Sequence, residues 1–462
     1  MELNGKRVLV VGLGRSGVAS ALFLQSRGAR VTVSDAKSED QLREQIPTLL
    51  DAGIAVETGA HGERTFRNQD LIVVSPGVPV DAEPLVQARA LGQPVIGEIE
   101  LASQFLSGPI VAITGSNGKT TTTTLVGDII AASGFKTLVG GNIGTPAISL
   151  AEQATPETTI VLEVSSFQLE TIRTFRPKVA VVLNVTPDHL DRHGTFAAYV
   201  NAKARIFENQ QADDFAVLNA DDPTCVELAN RTRAQVFWFS REREMESGAF
   251  VRDGHIIFRR NRSVQTILSV SEIPLKGSHN LENILAAVCA AALMGCAAEK
   301  IRAAIVNFKA VEHRLEYVAT IGGVEYYNDS KATNVDATMK ALQSFPANIH
   351  LILGGKDKGS DYTVLNNLLR ERVKSVYTIG AAAEKIQSHI KGTTQIVSSG
   401  TIESAVKQAS AAGRPGDVVL LAPACASFDQ FQNYEHRGRV FKELVGQLAA
   451  RNSSTQANEP QK

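Results

Sequence analysis

The sequence has no long hydrophobic run, few cysteines and almost no net charge. No apolar stretch among its 462 residues approaches the ~18 needed to span a membrane, and the segment MELNGKRVLVVG lacks the apolar core and cleavage site of a secretory signal. We therefore expect a cytoplasmic protein. The net charge of -1 gives no hint of a nucleic-acid or membrane surface, so small molecules are the expected partners.

Cysteine is too sparse to form a disulfide or metal-binding framework. The four cysteines, Cys225, Cys289, Cys296 and Cys425, include no CxxC pair. A reducing compartment keeps such residues as thiols, and we expect them to pack in the interior. Nothing in the PACAS segment supplies a base that would make Cys425 a nucleophile.

The length exceeds what one hydrophobic core usually supports, and three domains are predicted. Short β-branched runs alternate with helical patterns, as in parallel sheets with crossover helices. The fold class is therefore α/β, with a Rossmann-like domain over residues 1–98, a central P-loop mononucleotide-binding domain over 99–309 and a Rossmann-like domain over 310–450. Residues 451–462 lack large apolar anchors and are predicted to be disordered.

Two segments depart from the parallel pattern. Between Gln235 and Ile273 apolar and polar residues alternate around an Asp253-Gly254 turn, which predicts an antiparallel patch. A second hairpin is predicted at Gly322-Gly323. Helices are predicted over 280–293 and 331–342.

The segment ITGSNGKTT, between an apolar strand and a helical pattern, has the composition of a phosphate-binding loop. Gly115 and Gly118 free the backbone to direct N–H groups at phosphate oxygens, Lys119 would reach the terminal phosphates and the Thr120 hydroxyl would hold Mg²⁺. Ile113 stands where the usual GxxxxGK[ST] motif has its first glycine, which leaves the shorter GxxGKT. ATP and Mg²⁺ are the expected cofactors.

A second glycine-rich turn, GLGRSG, follows the first predicted strand. Gly12, Gly14 and Gly17 have the spacing of dinucleotide-binding loops, and Asp35 closes the next strand, where a ribose-binding carboxylate would lie. Alone this pattern favours NAD, but the same turn suits any nucleotide diphosphate and also occurs as a purely structural turn. Because a chain with an ATP loop in a later domain seldom needs hydride chemistry, a nucleotide other than NAD is preferred.

A series of motifs occurs in fixed order between Gly115 and Gly438: GSNGKTT, GGNIGTP, LEVSSFQLE, LNVTPDHLDRH, NAKARIF, GSHNLENILAA, HRLE, NDSKATN, LGGKDK and APACASFDQFQNYEHRG. Together they resemble the Mur ligases over essentially the whole chain except the tail. The start, GLGRSG with Asp35 and SPGVP, is similar to the D-glutamate-adding members. The resemblance implies that the first domain binds the UDP of a sugar substrate.

The reaction implied by this resemblance joins D-glutamate to UDP-N-acetylmuramoyl-L-alanine in peptidoglycan precursor synthesis, on a monomeric enzyme. ATP would phosphorylate the terminal carboxylate of the sugar substrate, and the amine of D-glutamate would attack the acyl phosphate. ADP, phosphate and an amide are the products. The residues assigned to ATP are Gly115, Ser116, Asn117, Gly118, Lys119, Thr120, Thr121, Asn280, Arg314 and Asp329.

Four residues are expected to hold metal ions: Thr120, Glu163, His189 and Lys203. Glu163 directly follows a buried strand, where a Mg²⁺ ligand would lie. The resemblance implies that Lys203 is carbamylated and so carries negative charge. This modification needs a neutral amine, which burial favours by lowering the lysine pKa. The expected catalytic residues are Lys119, Glu163, His189, Lys203 and Lys331.

The resemblance also implies two substrate sites. The sugar nucleotide would contact Gly14, Arg15, Ser16, Asp35, Ser75, Asn142, Ser165 and His189. D-Glutamate would contact Lys331, Thr333, Lys356, Ser427 and Tyr434. Tyr434 departs from the family pattern, which often has Phe at this position.

Simpler interpretations remain open for several of these residues. Asn280, Asp329 or Ser330 could cap helices, and Lys203 or Arg314 could be solvated surface residues. The cluster Asp188, His189, Asp191 and His193 could bind zinc in a metal hydrolase. The alternative functions are another amino-acid-adding Mur ligase, a folylpolyglutamate-type ligase, an NAD-dependent oxidoreductase or a non-enzymatic nucleotide switch.

Overall fold

The computed structural model describes residues 1–275, 277–309 and 311–456. The chain divides into two compact units, the first over Met1–Glu272 and Glu282–Asn307 and the second over Ile273–Leu281 and Phe308–Lys462. The first unit therefore holds most of the two domains predicted over 1–98 and 99–309. The short segment Ile273–Leu281, predicted as part of the central domain, groups with the second unit.

The first sheet consists of β1 Arg7–Val11, β2 Arg30–Asp35, β3 Ala55–Thr58, β4 Leu71–Val74 and β5 Val95–Gly97. All five strands are parallel, in the order β3-β2-β1-β4-β5. The accompanying helices are α1 Arg15–Ser26, α2 Ile46–Asp51, α3 Glu63–Phe66, α4 Glu83–Ala90 and α5 Glu98–Ser103. Strands β1 and β4 are apolar almost throughout because helices cover both faces of the sheet.

The second sheet has nine strands: β6 Ile110–Thr114, β7 Thr137–Gly141, β8 Thr159–Glu163, β9 Val179–Val182, β10 Phe215–Asn219, β11 Gln235–Ser240, β12 Gly248–Arg252, β13 His255–Arg260 and β14 Ser263–Ser269. Their order is β14-β13-β12-β11-β10-β9-β6-β8-β7. The helices are α6 Lys119–Ala132, α7 Ser166–Leu169, α8 Leu190–His193, α9 Phe196–Ala204, α10 Pro223–Leu228, α11 Ser278–Leu293 and α12 Ala298–Asn307.

The antiparallel patch in this sheet is shorter than predicted. Strands β12, β13 and β14 are antiparallel, and the hairpin predicted at Asp253-Gly254 is confirmed, with φ values of 49° and 72°. Strand β11, however, pairs in parallel with both β10 and β12. It is partly exposed on one face, which produces the alternation that suggested an antiparallel strand.

The third sheet lies in the second unit and consists of β15 Glu316–Ile321, β16 Val324–Asn328, β17 Ile349–Gly354, β18 Val373–Ile379, β19 Gln395–Gly400 and β20 Val418–Leu421. The order is β15-β16-β20-β17-β18-β19, and only the β15–β16 pair is antiparallel. The helices are α13 Val335–Gln343, α14 Asn366–Arg372, α15 Ala383–His389, α16 Ile402–Ala412 and α17 Tyr434–Gln456. Gly322 and Gly323 form the predicted hairpin, with φ values of 58° and 78°.

Two predictions for this unit were wrong at their boundaries. Helix α13 starts at Val335 rather than Lys331, because Asn334 caps it by accepting the N–H of Ala337 at 2.8 Å. Helix α17 continues to Gln456, so residues 451–456 are helical rather than disordered. The rest of the predicted tail, residues 457–462, lies outside the described residues.

The four cysteines are buried thiols, as the sequence predicts. None of the helices in the described part of the chain combines the length and apolar character needed to cross a bilayer.

The turn between β1 and α1 depends on close contact between backbone atoms. Gly12 has a φ of 90°, in the left-handed region, and its carbonyl accepts the Ser75 hydroxyl at 2.7 Å. A Cβ atom on Gly17 would collide with that same carbonyl oxygen. Glycine at position 17 is therefore a packing requirement of the turn.

We expect Gly17→Ala to lower the melting temperature by roughly 3–8 °C, because forcing a Cβ into this contact costs about 1–3 kcal/mol. Gly14→Ala is the matched control, since a Cβ there meets nothing within 4 Å. Differential scanning fluorimetry measures both. Equal melting temperatures for the two variants would show that the turn is not packed in this way.

Candidate active site

The phosphate loop joins β6 to α6 at the carboxyl edge of the second sheet. Gly118 is the residue before α6 and has a φ of 87°, while Gly115 has a φ of 153°. A Cβ on Gly118 would also collide with the Asn283 side chain. The two glycines therefore allow a backbone shape that gathers N–H groups at the start of a helix, where phosphate binds favourably.

The loop that follows β9 holds the phosphate loop in shape. The N–H of Ser116 donates to the Asn184 carbonyl at 2.9 Å, and the N–H of Asn117 donates to the Asn184 side chain at 2.9 Å. The Ser116 hydroxyl lies 2.9 Å from the Thr186 carbonyl oxygen and 3.1 Å from the Tyr199 hydroxyl. Of the residues predicted to bind ATP, Ser116 and Asn117 thus also act as the scaffold of the loop.

Lys119, the first residue of α6, folds back over the phosphate loop. Its Nζ donates to the carbonyl oxygens of Gly115 and Ser116, both at 2.8 Å. The ammonium group therefore lies at the loop where phosphate oxygens are predicted to bind. Thr121 is buried in the first turn of α6.

Glu163 ends β8 and connects the phosphate loop to the segment after β7. One carboxylate oxygen accepts the Thr120 hydroxyl at 2.8 Å, and the other accepts the Asn142 amide at 2.9 Å. The residue is only 2% exposed. Strand order explains the arrangement, since β8 lies between β6 and β7 and pairs Glu163 with Ile113 on one side and Gly141 on the other.

Lys203 on α9 is a buried lysine rather than a surface one, with 1% exposure. Its Nζ donates to the Gly115 carbonyl at 2.8 Å and lies 4.6 Å from the centre of the Tyr199 ring. Burial, and after it the positive charge of Lys119, hold the pKa of Lys203 well below its ordinary value. The site therefore favours the neutral amine that carbamylation requires.

His189 is positioned by an unusual backbone conformation before α8. Its φ is 53°, its Nε2 lies 3.7 Å from a carboxylate oxygen of Asp188, and its ring packs edge-on against Phe167. The side chain is 38% exposed, so it remains accessible to a ligand.

The zinc interpretation of this segment is not supported. His193 lies 3.0 Å from the Ser166 hydroxyl and 3.3 Å from Glu170, and burial lowers its pKa. Among the described residues, the group found with converging His and carboxylate atoms is instead Glu312, His313 and Glu316. There Lys442 bonds both carboxylates, at 2.9 Å and 2.6 Å, and offsets part of their negative charge.

The residues predicted for the sugar nucleotide lie at the carboxyl edges of the first two sheets. Gly14, Arg15 and Ser16 lie at the start of α1, where Gly14 and Arg15 are exposed and Ser16 is half-buried, and Ser165 caps α7 by accepting the N–H of Gln168. Asp35 accepts the N–H groups of Leu13 and Lys37, at 2.6 Å and 2.9 Å. One carboxylate oxygen of Asp35 thus supports the glycine turn through Leu13, and the other holds the backbone just after β2 through Lys37.

Arg192 connects the two predicted domains within the first unit. It donates to the Val78 carbonyl at 2.8 Å, lies 3.4 Å from Glu170, and its guanidinium stacks over Phe167. The SPGVP loop of the first domain, which contains Ser75, is thereby held against α7 and α8 of the second.

In the second unit, β16, β20 and β17 are adjacent parallel strands whose carboxyl ends bring distant motifs together. Asp329 follows β16 and accepts the N–H of Leu315 at 3.2 Å. Burial raises its pKa to about 6, an effect opposed by the charge of Arg314. Neither Asp329 nor Ser330 caps a helix, since Asn334 does so.

The predicted amino-acid site uses the same edge. Lys331 lies 5.2 Å from the centre of the Tyr434 ring, and the N–H of Thr333 donates to the Lys331 carbonyl at 2.8 Å. Lys356 follows β17 and pairs with Ala426 through two backbone bonds of 2.8 Å and 3.1 Å. Ser427 is the next residue along, so the GGKDK and ACAS motifs are adjacent in the fold.

Asn280 is buried within the first turn of α11, which begins at Ser278. It is therefore not the residue before the helix, and the capping interpretation does not apply.

Arg437 is a site residue that sequence reasoning missed. It is 1% exposed, and its guanidinium donates to the Ser330 hydroxyl at 3.0 Å, the Ser330 carbonyl at 2.8 Å and the Cys425 carbonyl at 3.2 Å. Burial lowers its pKa to about 10. This guanidinium joins the segments around Lys331 and Ser427. Apart from its place in the motif NYEHRG, nothing in the neighbouring sequence indicates that Arg437 is buried.

A phosphate loop beside a buried acid, on a chain of three α/β sheets, defines a multidomain enzyme that uses a nucleoside triphosphate. Three family models match consecutive segments: "Mur ligase MurD-like, N-terminal domain" over residues 6–97, "Mur ligase middle domain" over 113–291 and "Mur ligase, glutamate ligase domain" over 313–425. The chain belongs to the Mur ligase family.

Curated relatives align over nearly the full chain. It is 66% identical over 449 residues to the UDP-N-acetylmuramoylalanine--D-glutamate ligase of Koribacter versatilis, covering 97% of this chain and 99% of that protein. It is 60% identical over 460 residues to the protein of the same name from Acidobacterium capsulatum, covering 99% of each.

Solved structures show the same fold at low identity. The pseudomurein peptide ligase type C from Methanothermus fervidus matches with a TM-score of 0.61 and 20% identity, covering 96% of this chain and 100% of that one. UDP-N-acetylmuramate-alanine ligase MurC from Thermotoga maritima matches with a TM-score of 0.60 and 19% identity, covering 96% and 99%.

We expect Arg437→Leu to accelerate amide hydrogen exchange in segments 329–331 and 425–427 by roughly tenfold or more, because the carbonyls it bonds lose their partner in a buried place. Arg439→Leu, at an exposed position two residues later, is the control. Hydrogen exchange read by mass spectrometry separates the two. Unchanged exchange in both segments of Arg437→Leu would refute the joining role.

Proposed function

We propose that the protein is the ligase that joins D-glutamate to the terminal carboxylate of UDP-N-acetylmuramoyl-L-alanine, with ATP as the energy source, in the cytoplasm. The observation that carries this proposal is Glu163, which binds the phosphate-loop Thr120 and the GGNIG residue Asn142 at once. A phosphate loop and a predicted acyl-substrate contact are thus linked through one carboxylate. The names of the curated relatives support the choice of substrates.

The first step is transfer of the γ-phosphoryl group of ATP to a carboxylate oxygen. An O–P bond forms as the bond to ADP breaks, which gives an acyl phosphate. Both reactants are anionic, so positive groups must offset their repulsion. Lys119 supplies one such charge at the phosphate loop, and we assign Arg314 to the phosphates, Asp329 to the ATP ribose and Asn280 to adenine.

The residues around Glu163 fit a Mg²⁺ ion. The Thr120 hydroxyl and the Glu163 carboxylate lie 2.8 Å apart and supply the oxygen ligands that this ion prefers. Bound there, Mg²⁺ would neutralise charge between the phosphates and the carboxylate. We assign His189 to a second metal position, and a carbamylated Lys203 to holding or orienting the metal ions.

Carbamylation of Lys203 is consistent with its surroundings. The neutral amine would form a C–N bond to CO₂ and release a proton, leaving a carbamate anion. Burial and the charge of Lys119 already favour the neutral amine by lowering the pKa of Lys203.

In the second step the amine of D-glutamate attacks the acyl carbon, phosphate leaves with the former carboxylate oxygen, and the new amide nitrogen loses a proton. We assign Lys331, Thr333, Lys356, Ser427 and Tyr434 to D-glutamate. Two carboxylates on this substrate require cations, which Lys331 and Lys356 provide. The sugar nucleotide is assigned to Gly14, Arg15, Ser16, Asp35, Ser75, Asn142, Ser165 and His189.

Phosphate release should require ATP, UDP-N-acetylmuramoyl-L-alanine and D-glutamate together. The sugar substrate supplies the carboxylate that ATP phosphorylates, and the amine of D-glutamate is needed to displace phosphate from the acyl phosphate. Offering each amino acid in turn, with product mass measured, identifies the amine substrate. A product with another amino acid and none with D-glutamate would replace this proposal by a sibling activity.

Lys119→Ala should reduce turnover by at least about 10³-fold, since the phosphate loop loses its cation where charge develops. Lys136→Ala, which removes an exposed lysine bonded to the Gln153 carbonyl, should keep full activity. A coupled assay for ADP compares the two. Retained turnover in Lys119→Ala would exclude this loop from the reaction.

A further inference from the structure

The hydroxyl of Tyr362 connects two motifs that carry residues assigned to D-glutamate. Tyr362 is fully buried in the hydrophobic core of the second unit, a few residues after the GGKDK motif. Its hydroxyl donates to Oδ1 of Asp357, in GGKDK, at 2.8 Å. The same hydroxyl lies 3.0 Å from Sγ of Cys425, in ACAS. One buried oxygen atom therefore bonds both motifs.

The protonation states of these groups set the direction of the bonds. Burial raises the pKa of the Tyr362 hydroxyl, and it raises the pKa of the Cys425 thiol to about 11, so both keep their protons near neutral pH. Since the single O–H of Tyr362 points at Asp357, the Cys425 thiol donates to the Tyr362 oxygen. The hydrogen bonds run from Cys425 through Tyr362 to the carboxylate of Asp357.

Asp357 holds the shape of the GGKDK loop. Besides the Tyr362 hydroxyl, its Oδ1 accepts the N–H of Ser360 at 3.1 Å, and its Oδ2 accepts the ammonium group of Lys385, on α15, at 2.7 Å. Burial acts to raise the pKa of Asp357, but the bonds from Lys385 and Tyr362 outweigh it, and the pKa lies below its ordinary value. Asp357 is therefore an ionised acceptor whose placement depends on its donors.

The Tyr362 bonds extend a connection that the backbone begins. Lys356 and Ala426 form an antiparallel bridge through backbone bonds of 2.8 Å and 3.1 Å. Asp357 and Cys425 are the next pair in that register, and Tyr362 connects their side chains. Two successive connections hold the motifs at a fixed spacing and angle, whereas one would let them pivot. Of the assigned residues, Lys356 directly precedes Asp357, and Ser427 lies two residues after Cys425.

We propose that Tyr362 is a positioning residue for D-glutamate recognition, which holds Lys356 and Ser427 at the spacing that the two carboxylates of this amino acid require. The inference rests on the proposed function, because that function assigns both residues to D-glutamate. Tyr362 acts through Asp357 and Cys425, since its hydroxyl bonds these two residues rather than Lys356 or Ser427.

The test uses Tyr362→Phe in the full-length protein, which removes the hydroxyl and keeps the ring that packs in the core. Asp357 then loses a donor and the Cys425 thiol loses its acceptor. We expect KM for D-glutamate, measured by phosphate release with the other substrates saturating, to rise roughly five- to tenfold. This is somewhat less than the loss of a direct hydrogen bond to a charged group, because the effect reaches D-glutamate through the loop. KM for ATP and for UDP-N-acetylmuramoyl-L-alanine should change less than about twofold, because no residue assigned to them lies in the two motifs.

Tyr377→Phe is the matched control. Tyr377 is another buried tyrosine of the same unit, on β18, and its hydroxyl lies 3.2 Å from Nδ1 of His350. Both variants remove one buried hydroxyl and should lower the melting temperature. Tyr377→Phe should leave KM for D-glutamate unchanged, because His350 lies near the start of β17, whereas the GGKDK motif begins where that strand ends.

The double variant Asp357→Ala/Tyr362→Phe tests whether the hydroxyl acts through Asp357. Asp357→Ala alone should raise KM for D-glutamate at least as much as Tyr362→Phe, because Ser360 and Lys385 lose their acceptor as well. Adding Tyr362→Phe should then change KM by less than about twofold, since the connection between the motifs is already broken. A tyrosine that supported the core alone would give two independent effects that multiply.

An unchanged KM for D-glutamate in Tyr362→Phe, an equal rise in all three KM values, or multiplied effects in the double variant would overturn the proposal. The proposed function fails separately, if the wild-type protein releases no phosphate in the presence of D-glutamate. If another amino acid supports turnover instead, KM for that amino acid in the same variants decides the role of Tyr362.

Discussion

The candidate active site of this Mur ligase depends on one buried carboxylate held between two hydrogen-bond donors. Glu163 would be costly to bury as an unpaired charge, and Thr120 and Asn142 each satisfy one of its oxygens. Its position follows from strand order, because β8 lies between the strand that leads to the phosphate loop and the strand that leads to Asn142. A change of register by one residue would turn Glu163 to the other face of the sheet.

Two lysine amines lie close together at the phosphate loop. Lys119 and Lys203 both donate to the Gly115 carbonyl, so two amines share one oxygen. Their mutual repulsion contributes to the lowered pKa of Lys203. The repulsion favours the neutral amine of Lys203, which the proposed carbamylation needs, and leaves Lys119 as the cation that faces the phosphates in the proposed reaction.

Much of the fold and site could be predicted from the sequence because the signals are local. A strand, a glycine loop and a helix define the phosphate loop around Lys119, and β-branched runs define the three sheets. Glu163 could be placed at the carboxyl edge of its sheet because it directly follows a buried strand, whereas Asp329 was assigned only through the family resemblance. The hairpin at Gly322-Gly323 could also be predicted, because such a turn needs positive φ values, which glycine adopts readily. What the sequence did not reveal depends on contacts between distant segments. Arg437 bonds to Ser330, which is far away in the chain, and nothing in its sequence neighbours distinguishes it from a surface charge. The use of Asp35 to support the glycine turn likewise required the bond to Leu13 to be seen.

The central claim is that a carboxylate is activated as an acyl phosphate, and isotope transfer tests it most directly. UDP-N-acetylmuramoyl-L-alanine labelled with oxygen-18 in both oxygens of its terminal carboxylate is turned over with ATP and D-glutamate, and the inorganic phosphate is analysed by mass spectrometry. The account predicts one labelled oxygen in each phosphate released and one retained in the amide. Phosphate free of label would contradict it.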